Sequence, residues 1–125
     1  MLEISMTLTE RLRDARDLKP FIDSLESELI QVREQLKDAP DQLEQQESQI
    51  LTAIREITAK RQRMADLIEQ LPDADQRTVL TIKYIDAVKT KHLSEVSGMK
   101  DSDFYNLHQR AVKSLEKLEK HLATS

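Results

Sequence analysis

From Ala15 to Leu71 apolar side chains recur at alternating steps of three and four, running through Leu29, Val32, Ile50 and Met64 without a slip in phase. The positions between them are filled by Glu, Gln, Arg and Asp. Such spacing makes one apolar stripe along a slightly underwound helix, the a/d seam of a helix that wants a partner helix. Gln46 and Lys60 interrupt the stripe. Polar residues there can fix register and partner number, and they equally suit a place where a bundle opens to solvent. Ile54 and Ile68 widen the apolar face of the second half, which points to packing in a bundle as well as in a two-stranded seam.

Prolines divide this pattern. Thr7 followed by Glu10 makes a capping box for a first helix. Pro20 either kinks that helix or sits in the first turn of another. Pro40 is the better break, because it disfavours helical geometry at Ala39, and Asp41 with Glu44 can cap a new helix. The expectation is an antiparallel hairpin with one arm to about residue 38 and a second from about 41 to 71. The unbroken phase across Pro40 also fits one long kinked coiled coil, and the hairpin is preferred.

Leu71-Pro72-Asp73 reads as a hinge, with Asp73 and Gln76 forming a second capping box. The helix it starts, to about Val88, is apolar nearly all round (Val79, Leu80, Ile82, Tyr84, Ile85), so it should form an inner wall. Tyr84 is read as a core residue with its hydroxyl at the rim. Gly98 is the only glycine of 125 residues, so left-handed or tightly turned backbone is expected there and nowhere else. A short helical pattern precedes it and a long one follows, with Leu93, Met99, Phe104 and Leu107 spaced for two helices packed across a turn. Ser94 is small, as a close approach of two helices requires, and Asp101 and Ser102 suit the cap of the final helix. Any αα-hairpin would show the same spacing. In the final helix Phe104, Leu107, Ala111, Leu115, Leu118 and Leu122 form the stripe expected to be buried.

The expected fold class is therefore all-α: residues 1–71 as a helical hairpin or coiled coil for oligomerisation, residues 72–125 as a helix-turn-helix domain. A composition with 34% charged and 3% aromatic residues agrees with it. The net charge of −4 hides an asymmetry. Residues 1–72 hold 10 Lys+Arg against 15 Asp+Glu, whereas from Lys89 onward the balance is 7 against 5. An acidic body with a slightly basic head fits a part that dimerises and a part that meets phosphate. With no cysteine there is neither a disulfide framework nor a zinc–thiolate site, in keeping with a cytoplasmic protein. No apolar run approaches the ~20 residues of a membrane span, and the N-terminus lacks the basic-then-apolar order of a secretory leader.

Leu71-Pro72, the run Arg77 to Asp86, and the run Phe104-Tyr105-Asn106-Leu107-His108-Gln109-Arg110-Ala111 with Leu115 resemble the ArpU family of phage transcriptional regulators, whose C-terminal part is similar to region 4 of sigma-70 factors. Tyr105, Leu107, His108, Arg110 and Ala111 form the most specific piece, and the resemblance covers roughly residues 50–122. Lys83 stands where that family usually has arginine, Ala87 where glycine is usual, and Ser97 in an apolar slot. The resemblance implies a regulator that binds promoter DNA as a homodimer, with RNA polymerase as a further candidate partner.

Within that frame the outer face of the last helix supplies the readers. Asn106 and Gln109 suit adenine and Arg110 suits guanine, while Lys113 and Lys117 suit phosphate. Ser102 and Tyr105 share the face, and Lys89, Lys91, His92 and Lys100 flank the turn as backbone anchors. Asp101 and Asp103 work against tight phosphate approach at the helix start. A solvated helix face would carry similar residues. The competing function is a coiled-coil scaffold whose last helices contact protein. An enzyme is not expected, nor a cofactor, metal or small-molecule substrate: His92, His108 and His121 lack metal-ligand spacing, and one glycine makes no phosphate loop.

Overall fold

The computed structural model describes residues 6–124. Residues 1–5, part of the stretch read as unlike a leader, and Ser125 lie outside the described residues. Every regular element among the described residues is helical. None of these helices is long and apolar enough to cross a membrane.

The first two helices, α1 (Leu8–Gln35) and α2 (Pro40–Glu69), pack against each other as the hairpin. Thr7 caps α1 as its spacing requires, its hydroxyl accepting from the Glu10 amide at 3.1 Å. Pro20 neither ends α1 nor begins another helix: it lies inside it, and the Ser24 hydroxyl donates to the Pro20 carbonyl at 3.1 Å. At the tip the expected cap shifts by two residues. Ala39, with non-helical backbone (φ −129°, ψ 72°), is the N-cap, Pro40 takes the first helical position, and Asp41 stands in the first turn, favourably placed against the helix dipole.

Near the tip the seam closes on itself. Leu29, Val32 and Ile50 are buried, with Leu25, Leu36, Leu43, Leu51 and Ile54 around them. Gln46 and Lys60 are exposed, so of their two readings the solvent-facing one describes them. Phe21 and Ile30 project from the hairpin at 53% and 68% exposure.

After α2 the chain turns through Leu71 into α3 (Ala74–Leu80), capped by Asp73, whose carboxylate accepts from the Gln76 amide at 3.0 Å. The expected helix to Val88 does not run through in α form. From Thr81 to Ile85 it widens into a π-helical turn, marked by the Asp86 amide donating five residues back to the Thr81 carbonyl at 2.8 Å. The chain then reverses at Ala87 with φ 54°. Gly98 is therefore not the only left-handed residue, contrary to the reading from glycine content. A 3₁₀ turn (Thr90–His92) leads into short α4 (Leu93–Ser97), and α5 (Asp101–Thr124) completes the chain.

The wall formed by α3 and the π turn separates two cores. On one side Val79 and Ile82 pack with Leu93 and Phe104, and with half-buried Met99 and Leu107. On the other, Leu80 and Tyr84 join Leu8, Leu12 and Ala15 of α1, Met64, Ile68 and Leu71 from α2 and its end, and Ala111 and Leu115 of α5. This second core is continuous across residue 71. Leu12, Ile68, Leu80 and Leu115 are fully enclosed in it, each contributing about 1.5–3 kcal/mol of burial. Tyr84 is buried, as its place on the wall demands.

Polar links reinforce the same junction. Arg61 of α2 donates to the carbonyls of Ala15 (2.9 Å) and Ile85. The second bond gives a partner to a carbonyl at the end of the π turn, just before the chain reverses at Ala87. Arg11 grips Glu119 with both guanidinium nitrogens at 2.6 and 2.5 Å, fastening the start of α1 to the far half of α5. The stripe of α5 is correspondingly uneven: Phe104, Ala111 and Leu115 are buried, Leu107 and Leu118 half-buried, and Leu122, expected inside, is exposed in the last turn.

Candidate nucleic-acid interface

The turn between α4 and α5 sets the position of the candidate face. Gly98 ends α4 in left-handed backbone (φ 72°, ψ 11°), its amide donating to the Ser94 carbonyl at 2.9 Å. A Cβ added there would meet nothing within 4 Å, so the glycine answers to backbone geometry and not to crowding. The serines do more than stay small. Ser94 donates its hydroxyl to the Met99 carbonyl at 2.6 Å, and Ser97 accepts from the Met99 amide at 3.1 Å. Ser97, which replaces an apolar residue in the resembled pattern, thus satisfies the backbone of the turn. The final helix begins at Asp101, so Asp101 and Ser102 lie within its first turn and not before it.

All seven residues assigned to the outer face of α5 are exposed: Ser102, Tyr105, Asn106, Gln109, Arg110, Lys113 and Lys117. A rise of ~1.5 Å and turn of ~100° per residue divide them into two flanks. Tyr105, Gln109 and Lys113 lie toward α1 and the π turn, lining one groove. Asn106, Arg110 and Lys117 lie toward the opposite flank. The Gln109 amide nitrogen donates to the Tyr105 hydroxyl at 2.6 Å, which orients both side chains. Before the turn, Lys89, Lys91, His92 and Lys100 are exposed too. Lys91 shares a neighbouring hollow with Tyr105, and Lys89 shares another with Arg16 and Lys83. His92 faces Glu95 at 3.5 Å, a pair that is ionic only when the imidazole is protonated.

Beneath this face the Tyr84 hydroxyl and His108 Nε2 lie 2.7 Å apart, the rings tilted with centroids 5.6 Å apart. Burial, helped by the charge of Lys83, pushes the His108 pKa down to about 4, so the imidazole is neutral at physiological pH. Burial also raises the Tyr84 phenol. Lys83, with its ammonium 5.6 Å from the centre of the Tyr84 ring, is held below the ordinary lysine range by burial and by the charges of Arg16 and Arg13.

Those two arginines belong to α1 and were not foreseen as part of the face. Arg13 and Arg16 line the groove together with Lys83, Gln109 and Lys113. A signal was present in the sequence, since Arg11, Arg13, Arg16 and Lys19 gather four of the 10 cations of residues 1–72 into nine positions of an acidic half. Lys83 itself stood out only as a departure from the resembled pattern.

Residues 31–116 match the sequence profile of the DUF1492 family, proteins of unknown function, and the chain belongs to that family. No curated protein and no solved structure matches the chain. Arg13 and Arg16 lie N-terminal to the matched stretch.

Proposed function

We propose that this DUF1492 member is a phage-type transcriptional regulator that binds double-stranded DNA through α5, acting in the cytoplasm as a homodimer. The observation that carries the reading is α5 itself. It leaves a tight left-handed turn, packs Phe104 into the core beside α4, and turns Asn106, Gln109 and Arg110 outward. These are side chains that match base edges in a major groove, with Lys113 and Lys117 beyond them suited to backbone. The resemblance to ArpU proteins and to sigma region 4 supports the same function. Dimerisation is supported by Phe21 and Ile30 on the outside of the hairpin, since its seam is occupied by its own two arms.

Binding of the full-length protein to duplexes, followed by fluorescence anisotropy over a range of salt, tests the reading. Alanine at Asn106 or Gln109 should cost ~1–3 kcal/mol on a selected site and little on random duplex. Lys113→Ala should weaken both alike and reduce the salt slope by about one. A parent chain that binds no duplex even at ~50 mM salt sinks the reading. The scaffold alternative would then stand, resting on Val96 and Tyr105, which expose 55% and 59% of their surface beside the turn.

A further inference from the structure

Arg13 and Arg16 enter the head from the hairpin, from an element whose sequence reads only as a seam. They face α5 across the groove that Gln109 and Lys113 line, with Lys83 rising from the π turn between them. Lys83 and Arg16 also border the hollow that reaches Lys89, and Lys83 borders the one that reaches Lys91. The cations therefore run as a track from the 3₁₀ turn, past the π turn and α1, to the middle of α5.

Little protein charge answers this track. Among the described residues neither Arg13 nor Lys83 has a carboxylate in ion-pair range. Arg16 pairs with its neighbour Asp17 at 2.9 Å, an exposed pair that offers little stability; Glu116 is the carboxylate lining the groove, and Asp101 the one lining the hollow of Lys83 and Lys91. Two guanidinium charges gathered beside a partly buried lysine destabilise it unless an anion joins them: burial first, and then the charges of Arg16 and Arg13, hold the Lys83 ammonium below the ordinary lysine range.

Resting on the DNA-binding reading above, we propose that Arg13 and Arg16 of α1, with Lys83, form a backbone clamp that grips phosphates of the duplex beside α5. Guanidinium forks suit phosphate oxygens, and the ammonium adds a point charge between them. The hairpin is then part of the DNA interface, and its packing on the head fixes the angle at which α5 meets the groove. The clamp carries no base information, so it anchors and does not read. It also supplies cations that the nearly neutral head lacks.

The test uses full-length Arg13→Gln/Arg16→Gln, with Lys113→Gln as the comparison, on random-sequence and selected duplexes across a salt series. Arg13 is exposed and Arg16 partly so, and circular dichroism melts are to check that the double variant folds like the parent. The expected result is roughly tenfold or greater weakening near ~0.1 M salt, equal on both duplexes, with the salt slope reduced by about two. A double variant that keeps parental affinity and slope, while Lys113→Gln loses one unit of slope, overturns the clamp and leaves the DNA reading intact. Weakening confined to the selected duplex also overturns it, since a phosphate anchor acts on every sequence. A parent that binds no duplex overturns both.

Discussion

The far end of the hairpin and the head are held together by different means. At the far end one interaction repeats: Leu29, Val32 and Ile50 close between two α-helices whose backbone is regular throughout. In the head the chain widens into a π turn, reverses at Ala87 and reverses again at Gly98, all within 18 residues from Thr81 to Gly98. The difference follows from what each must position. Two parallel stripes need only register, whereas one short wall must serve two cores at once, with Ile82 facing one and Tyr84 the other. Special backbone gathers where a segment cannot satisfy both neighbours as a plain helix.

The largest test of this contrast deletes side chains from the two regions. Leu115 is fully enclosed in the core shared by α1, α2, α3 and α5, so Leu115→Ala should cost ~2–5 kcal/mol and lower the melting temperature of the whole chain. Leu29 lies in a core of two helices only, at 8% exposure, so Leu29→Ala should fall at the low end and act locally. Hydrogen exchange read by mass spectrometry separates the cases. Leu115→Ala should speed exchange in α1, α3 and α5 together, Leu29→Ala only around the tip. Equal, global effects of the two would mean that tip and head unfold as one unit.

The same contrast explains what could be read from the chain. The hairpin, its break at Pro40 and the caps at Thr7 and Asp73 were legible because each rests on local chemistry and an unbroken period. Pro20 was ambiguous because packing on both sides of it, by Ala15 and Leu29, holds the helix together through a residue that would break it in isolation. The π turn was not legible: an apolar run such as Val79–Ile85 announces burial and says nothing of whether the helix widens to bury two sides. Nor could spacing show that Arg13 and Arg16 would line one groove with Gln109, because that placement depends on how α1 crosses the head. Ala87 carried a hint only as a departure from a glycine in the resembled pattern.

Gly98→Val tests the head alone. A β-branched residue in left-handed backbone costs on the order of 1–3 kcal/mol, and the open space around the site leaves that strain as the only charge against it. The variant should lose protection in α4 and the first turns of α5 while the tip of the hairpin stays helical. A melt and exchange pattern matching the parent would mean that the turn relaxes without cost.

A smaller effect is set by pH. The ordinary histidine pKa is 6.5 and that of His108 in the folded head is about 4. As pH falls through this window the unfolded chain takes up a proton that the folded chain refuses. Folding is thereby penalised increasingly from pH 6.5 down to about 4, and the penalty is absent above the window. Melting temperature should fall over that range in the parent, and the fall should be shallower in His108→Gln. Carboxylates titrate nearby, with Glu119 held low by its bonds to Arg11, so the difference between the two proteins is the quantity to read. Identical slopes would place His108 in freer contact with water than its neighbours Tyr84 and Lys83 imply.

The smallest change should run the other way. Ala87 occupies left-handed backbone with φ 54°, which an L-residue other than glycine enters at a cost of roughly 1–2 kcal/mol. Glycine removes that cost but gives the unfolded chain more freedom, which returns about 0.4–1 kcal/mol. Ala87→Gly should therefore stabilise the head by about 0.5–1 kcal/mol net, raising the melting temperature slightly and slowing exchange around the π turn. Gly98→Ala makes the mirror-image change at the other reversal and should lose a similar amount. The pair sharpens the comparison because both act on backbone and neither opens a large cavity. If Ala87→Gly instead weakens the protein, the half-buried methyl packs between α1 and the π turn strongly enough to outweigh the strain. The second reversal would then be held by contact with the hairpin, and the head would depend on its neighbour even for the shape of its own turns.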